Sequence, residues 1–188
     1  NIMGSYKYAP FLGFRMGILS LFHELSGSLL INGEPFDFTG GMGYIEHCWG
    51  SAIPSAYIYT QCSWQDETGN CIMAAAGDIP FLGFTFTGCV CIIRHNGREY
   101  RMCNSSGAKL LKVTPRQMII KQGKLELKAE LILGTPEPLR TFAKDRPQRL
   151  SMESPRKIVR YTFANDNKII FNLLSDQADF EFVEGEQI

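Results

Sequence analysis

At 188 residues the chain is long enough to bury a substantial core as one domain. Its 19 basic and 19 acidic residues cancel, which removes any global argument for a nucleic-acid partner. No apolar run approaches the roughly 18–20 residues that span a membrane, and no signal-peptide pattern opens the chain, so a cytoplasmic location is expected.

The cancelling charges are unevenly spread. Residues 1–93 hold two basic groups, Lys7 and Arg15, against seven acidic ones, a net of −5 balanced by +5 in the remainder. Seven basic residues between Arg140 and Arg160 face only Asp145 and Glu153. That segment reads either as a solvated loop or as a peripheral membrane contact meeting anionic headgroups.

The chain opens on "NIMGSYKYAPFLGF", which is apolar and aromatic and lacks capping or linker chemistry. Such a segment packs against something: its own barrel, a preceding lobe, or a partner chain in a homodimer. From there a period of two takes over. "GILSLFHEL" (17–25) and "SLLINGEPFDF" (28–38) read as strands, the second folding back at Asn32-Gly33, where both turn positions accept positive φ. His23 shares a face with Leu25 and Leu29, as either a hydrogen-bonded core histidine or a catalytic one. "GGMG" at 40–43 lacks the strand–turn–helix setting of a phosphate cradle and reads as a turn.

Between Gly43 and Trp64 the sequence "GYIEHCWGSAIPSAYIYTQCSW" gathers one carboxylate, one histidine, both tryptophans and three tyrosines. Tyr44 and Glu46 share a face if this run is a strand. A carboxylate turned inward among apolar groups must be paired or become easier to protonate, and a protonated one donates at neutral pH. A structural ion pair or a rim position is the competing reading. Tyr57, Tyr59 and Gln61 then fall on one face, with Ile58, Thr60 and Cys62 on the other. Two tyrosines and a glutamine together are costly in a dry core unless each polar end finds a partner, so this face is read as a pocket wall. Asp78, in "AAAGDIPFLGF", is a second carboxylate among apolar residues, read either as catalytic or as a turn residue before Ile79-Pro80.

"FTFTGCVCIIRHNGREYRMC" (84–103) repeats the Asn-Gly hairpin at Asn96-Gly97, with His95 before the turn in a solvated position. Cys89 and Cys91 share one strand face, and the six cysteines show no metal-type spacing, so reduced buried thiols are expected. "AKLLKV", "QMIIKQ", "KLELKAELIL", "KIVRYTF", "KIIFNLL" and "ADFEFVE" follow as short strands. Thr135 to Pro155 holds four prolines and no strand pattern, hence a long loop. About a dozen short strands without an amphipathic helix predict an all-β protein, an antiparallel lipocalin-like barrel or a strongly curved sandwich. Neither metal nor cofactor is expected, and the familiar hydrolase, nucleotide and metalloprotease motifs are absent.

"MGSYKYAP", "HELSGSLLINGEPFDFTGGMGYIEHCWGSAIPSAYIYTQCSW", "DIPFLGFTFTG", "GREYRMCNSSGAKL" and "MESPRKIVRYTF" with "IIFNLL" resemble the tocopherol cyclase family. The most specific part is the run G-Y-I-E-x-x-W-G-x-x-x-P-x-x-Y/W-I-Y/W-x-Q. The resemblance implies a lipocalin-like β-protein of two lobes with an apolar cavity between them, of which residues 1–188 match the C-terminal lobe as a single domain. It also implies cofactor-free ring closure. An acid protonates the double bond of a prenylated hydroquinone or related isoprenoid, and the phenolic oxygen traps the tertiary cation.

In that picture Glu46 and Asp78 are the catalytic candidates. Tyr44, His47, Trp49, Tyr57, Tyr59, Gln61 and Trp64 are the substrate-binding ones. His47-Cys48 stands where the family pattern has Lys-Asp, and Tyr57 and Tyr59 where it has tryptophans, so Glu46 lacks its usual acidic companion. Two alternatives stay open: a non-catalytic carrier of an apolar ligand, and a structural half that works only with a partner lobe.

Overall fold

The computed structural model describes residues 2–52, 54–64, 69–136 and 156–185. Every regular element among them is a strand except two short 3-10 turns, Gly4–Tyr8 and Asn104–Ser106. In chain order the first strands are β1 (Phe14–Glu24), β2 (Ser28–Ile31), β3 (Glu34–Asp37), β4 (Met42–Gly50), β5 (Tyr57–Trp64), β6 (Asn70–Phe81) and β7 (Phe84–His95). Then come β8 (Arg98–Cys103), β9 (Lys109–Thr114), β10 (Gln117–Gln122), β11 (Leu125–Leu133), β12 (Ile158–Asn165), β13 (Lys168–Ser175) and β14 (Asp179–Val183). All pair antiparallel. Both Asn-Gly hairpins form as the sequence requires, with Asn32 at φ 53° and Gly33 at 87°, and Asn96 at 50° and Gly97 at 71°.

Two five-stranded sheets dominate, ordered β14-β5-β6-β7-β8 and β13-β12-β11-β10-β9. Side chains from both fill one core, with Ile58, Ile72, Cys91, Ile93 and Phe180 from the first sheet meeting Ile120, Leu127, Val159, Tyr161 and Phe163 from the second. Among the described residues neither sheet closes on itself, so the pairing gives open sheets and no closed barrel. The clean alternation of Leu125, Leu127 and Ala129 does what it predicts: Leu127 and Ala129 are buried and their neighbours face outward.

One polar chain crosses that core. The Thr60 hydroxyl donates to the carbonyl oxygen of Asp179 at 2.7 Å and lies 2.6 Å from the Tyr161 hydroxyl. A hydroxyl has one proton, so Tyr161 is the donor to Thr60. Both side chains are completely buried, and the chain ties the two sheets together without an unsatisfied group.

The first sheet is covered on its other side as well. β1 and β4 form a separate two-stranded ribbon. Met16 of that ribbon and Ile2 of the N-terminal segment bury themselves against Met73 and Ile92. The apolar start of the chain therefore docks on its own central sheet, although Tyr8 and Phe11 remain exposed. β6 was not legible as one strand. It is buried on both faces, so it carries "NCIMAAAG" where alternation would otherwise appear, and the turn expected at Asp78 is part of the ladder, opposite Thr87. Among the described residues β2 and β3 pair only with each other, and both are exposed along their whole length.

Cys62, Cys71, Cys89, Cys91 and Cys103 are buried free thiols, and Cys48 is exposed. His95, expected in solvent, is half-buried against Phe171, with ring centroids 4.7 Å apart. Most of the proline-containing loop and of the basic segment lies outside the described residues. At its described end, Arg156 pairs with Asp176 at 2.6 Å and Lys157 with Asp179 at 2.7 Å. Those two charges are met by protein carboxylates.

Replacing Thr60 with Val strands the Tyr161 hydroxyl and the Asp179 carbonyl in the core. We expect a loss of about 1–3 kcal/mol in urea unfolding. Tyr161→Phe on that background should cost little more, because the bond is already gone; fully additive losses would mean that the two hydroxyls are not coupled.

Candidate functional site

A cavity of about 350 Å³ lies between the β1–β4 ribbon and the outer face of the central sheet. The floor is low because the sheet carries small residues there. Ala75 stands opposite Val90, and Gly77 opposite Gly88, in the β6–β7 ladder. A Cβ on Gly77 would come within 3.0 Å of the Ala56 carbonyl oxygen and of the Tyr57 Cβ, so the glycine is also what lets β5 and the residues before it sit close. The volume falls at the small end of ligand sites, about 300–1,000 Å³.

Strand alternation sorts the side chains around it. On β4, Tyr44, Glu46 and Cys48 turn toward the sheet, and Ile45, His47 and Trp49 turn away. On β5, Tyr57, Tyr59 and Gln61 line the cavity, while Ile58, Thr60 and Cys62 enter the core. The two strands meet at Glu46. Its Oε2 accepts a hydrogen bond from the Tyr44 hydroxyl at 2.6 Å and its Oε1 one from the Tyr59 hydroxyl at 2.8 Å. A half-buried carboxylate is thus held at both oxygens by phenols, one from its own strand and one from the sheet across the cavity.

A second carboxylate, which the sequence reading missed, completes the wall. Glu181 of β14 pairs in register with Tyr59, is only 6% exposed, and accepts from the Tyr57 hydroxyl at 3.0 Å. Asp179, two residues earlier and also in the lining, holds the buried ammonium of Lys157. The alternation in "ADFEFVE" already set Asp179 and Glu181 on one face; what it lacked was the pairing of β14 beside β5. The lining thus includes Glu46, Asp179 and Glu181 and, among the described residues, no lysine, arginine or histidine. No group of three or more His, Cys, Asp or Glu side chains among them gathers as a metal ion would need.

These surroundings act on the phenols. Burial, then the hydrogen bond and charge of Glu46, holds Tyr44 well above the usual tyrosine value. Burial and the Glu46 charge do the same to Tyr59, and burial with Glu181 to Tyr57. Partial burial and the Glu46 charge push the Cys48 thiol up to about 11.

The structure therefore brings together Glu46, Tyr44, Tyr57, Tyr59 and Gln61, whose amide nitrogen donates to the Ser63 hydroxyl at 2.9 Å. It does not bring the other candidates to them. Asp78 lies on the opposite face of β6 from the cavity, accepting from the Thr87 hydroxyl at 3.0 Å. His47 and Trp49 stack on each other on the outer side of the ribbon, centroids 4.4 Å apart, with His47 folded over Gly17. Trp64 points to the core side, against Phe171 at 5.6 Å. The parity of β4 and β5 decides all three aromatic cases, and parity is only assigned once the strand's packing partner is known.

The raised phenols make alkaline stability a readout of the site. Each has its pKa raised on folding, so above about pH 10 the unfolded chain releases protons that the folded chain keeps, and stability falls as pH rises. The same groups leave stability fully in place below that pH. Buried Cys71 and Cys89, both pushed up to about 11 chiefly by burial, add to the decline. Urea unfolding of Tyr59→Phe should show a shallower alkaline limb than the unmodified chain. An identical slope would mean that Tyr59 is not shielded as described.

Comparison with protein-family models, with curated proteins and with solved structures returned no match.

Proposed function

We propose that this cavity takes an isoprenoid-type apolar ligand and that Glu46 moves a proton on it, in the manner of the tocopherol cyclase family that the sequence resembles. The observation that carries the reading is the Glu46 carboxylate itself, set in the cavity wall and oriented by Tyr44 and Tyr59. On this reading Glu46 takes up a proton in place of one of its two phenolic hydrogen bonds, and that proton adds to the less substituted carbon of a trisubstituted double bond. The substrate's phenolic oxygen bonds to the tertiary cation, and the phenolic proton passes back to Glu46. Substrate and product are isomers, and no co-reactant is consumed.

The surroundings support such a step. Tyrosine faces each favour a nearby cation by about 0.5–2 kcal/mol. The Glu181 carboxylate adds a negative field in the same cavity, whereas that of Asp179 is met by the Lys157 ammonium. Tyr57 and Tyr59, standing where the family pattern has tryptophans, keep the π faces and add hydroxyls that fix the two glutamates. The lipocalin-like architecture is part of the same proposal, with the ribbon and the central sheet as the two walls of the ligand site.

One observation favours a second reading, a carrier without turnover. Both Glu46 oxygens already receive phenolic hydrogen bonds, an arrangement suited to a fixed anchor for a ligand hydroxyl. Glu46→Gln separates the two. With a prenylated hydroquinone as probe, an enzyme should lose at least about 100-fold in turnover while its affinity changes little. A chain that binds the probe without ever forming the chroman is a carrier, and undiminished turnover in Glu46→Gln removes Glu46 as the acid.

A further inference from the structure

We propose that the tip of the β6–β7 hairpin, with the segment 8–12 beside it, is a docking surface for the interface of an anionic lipid bilayer. Four large side chains stand out there: Tyr8 is 77% exposed, Phe11 76%, Leu82 63% and Phe84 56%. The two segments that carry them are held side by side. Leu12 bridges to Phe81, the Gly13 N–H donates to the Pro80 carbonyl at 3.1 Å, and Phe81 meets Phe84 edge-on at 5.4 Å. Contiguous exposed apolar surface of this kind marks a contact site, and aromatic rings are favoured at the level of lipid headgroups.

The turn chemistry argues that these side chains are kept for what they touch. Among the described residues, three hairpins turn on a residue pair with positive φ ending in glycine. Two of them use Asn-Gly, the pair best suited to that geometry. The third uses Leu82-Gly83, with leucine at φ 49°, and Phe11 holds φ 60° in the neighbouring segment. A bulky residue in that conformation works against the fold, and at this exposure it recovers nothing from the protein core.

Charge selects the partner. Residues 1–93 hold only two basic residues, and both are here: Lys7 over the Tyr8 ring at 4.5 Å, and Arg15, whose guanidinium braces the segment by donating to the carbonyls of Leu12 and Ala9. Glu24, Glu34 and Asp37 lie at the far end of β1 and on the β2–β3 hairpin beyond it. Asp78, the carboxylate on the β6–β7 hairpin, faces the other side of the sheet and is engaged by Thr87. Apolar rings with a pair of cations and the acidic groups held away suit a bilayer carrying anionic headgroups.

The surface also leads somewhere. Phe81 and Phe84 continue the sheet face on which Ile79 and Phe86 line the cavity. A ligand leaving the bilayer stays on apolar surface until it reaches Glu46. Only this last step rests on the proposed function; the docking itself does not.

The test is co-sedimentation of the chain with phosphatidylcholine–phosphatidylglycerol vesicles, beside pure phosphatidylcholine. The unmodified chain should pellet with the anionic vesicles and less with the neutral ones. The double variant Leu82→Asn, Phe84→Thr restores an Asn-Gly turn, so its urea midpoint should hold or rise while its vesicle partition falls at least about 10-fold. Unchanged partition in the variant, or an unmodified chain that stays in the supernatant with anionic vesicles, overturns the proposal. So does a chain that ignores vesicles but self-associates through the tip, seen as a mass change in the variant by light scattering. Binding of a prenylated hydroquinone in solution should survive the double variant, so a failure of docking and a failure of the cavity reading are told apart.

Discussion

The central sheet is buried on both faces, and most of what this protein does follows from that constraint. A strand with solvent on one side needs only one apolar face. β5 and β6 have none to spare, and each must satisfy a packed core below and a cavity above with alternate residues. Thr60 and Tyr59 are adjacent in sequence and lie in different chemical worlds. The first closes an inter-sheet hydrogen-bond chain in a dry core, and the second orients a carboxylate at a cavity wall.

Room for a ligand on a doubly covered sheet has to be made by omission. Ala75, Gly77 and Gly88 supply it, and the tyrosines and glutamates stand around the space they leave. Bulk at these positions would bring the ribbon and the sheet into contact and fill the site. The hydroxyls of Tyr57 and Tyr59 and the carboxylates of Glu181 and Glu46 then satisfy one another across three different elements. That mutual satisfaction is what permits so many polar ends above a sheet whose other face is completely buried. It also fixes the geometry any proton transfer would use, since neither glutamate is free to rotate without breaking a phenolic bond.

The same architecture distributes charge along the molecule. Glu24, Glu34 and Asp37 lie at one end of β1 and on the hairpin beyond it, Glu46 lines the cavity, and Lys7 and Arg15 lie at the other end of β1 with the exposed rings. Burial of the ribbon's inner face leaves its outer face, with Trp49 and Ile45, and the whole β2–β3 hairpin as further exposed apolar surface. The cavity and the hairpin tip therefore belong to one continuous sheet face, and the positions of both are set by the register of β6 on β7.

What the sequence by itself determined was local. Period-two alternation specified the strands and the contents of each face, as in β5, β11 and β14, because side-chain direction alternates whatever the strand packs on. Asn-Gly pairs specified two hairpins, because few other residues accept positive φ. That Tyr44 shares a face with Glu46, and Tyr57 with Tyr59 and Gln61, was legible from the alternation. The tertiary structure alone decided which face of each strand looks inward. That choice sent His47 and Trp49 outside, Trp64 to the core side and Asp78 to the far side of its sheet. It also decided that β14, more than a hundred residues away, lies beside β5 and delivers Glu181 to Tyr57. Neither is written in a local pattern, because inside and outside are properties of what a strand packs against, and pairing between distant strands is settled only when their shared core is buried.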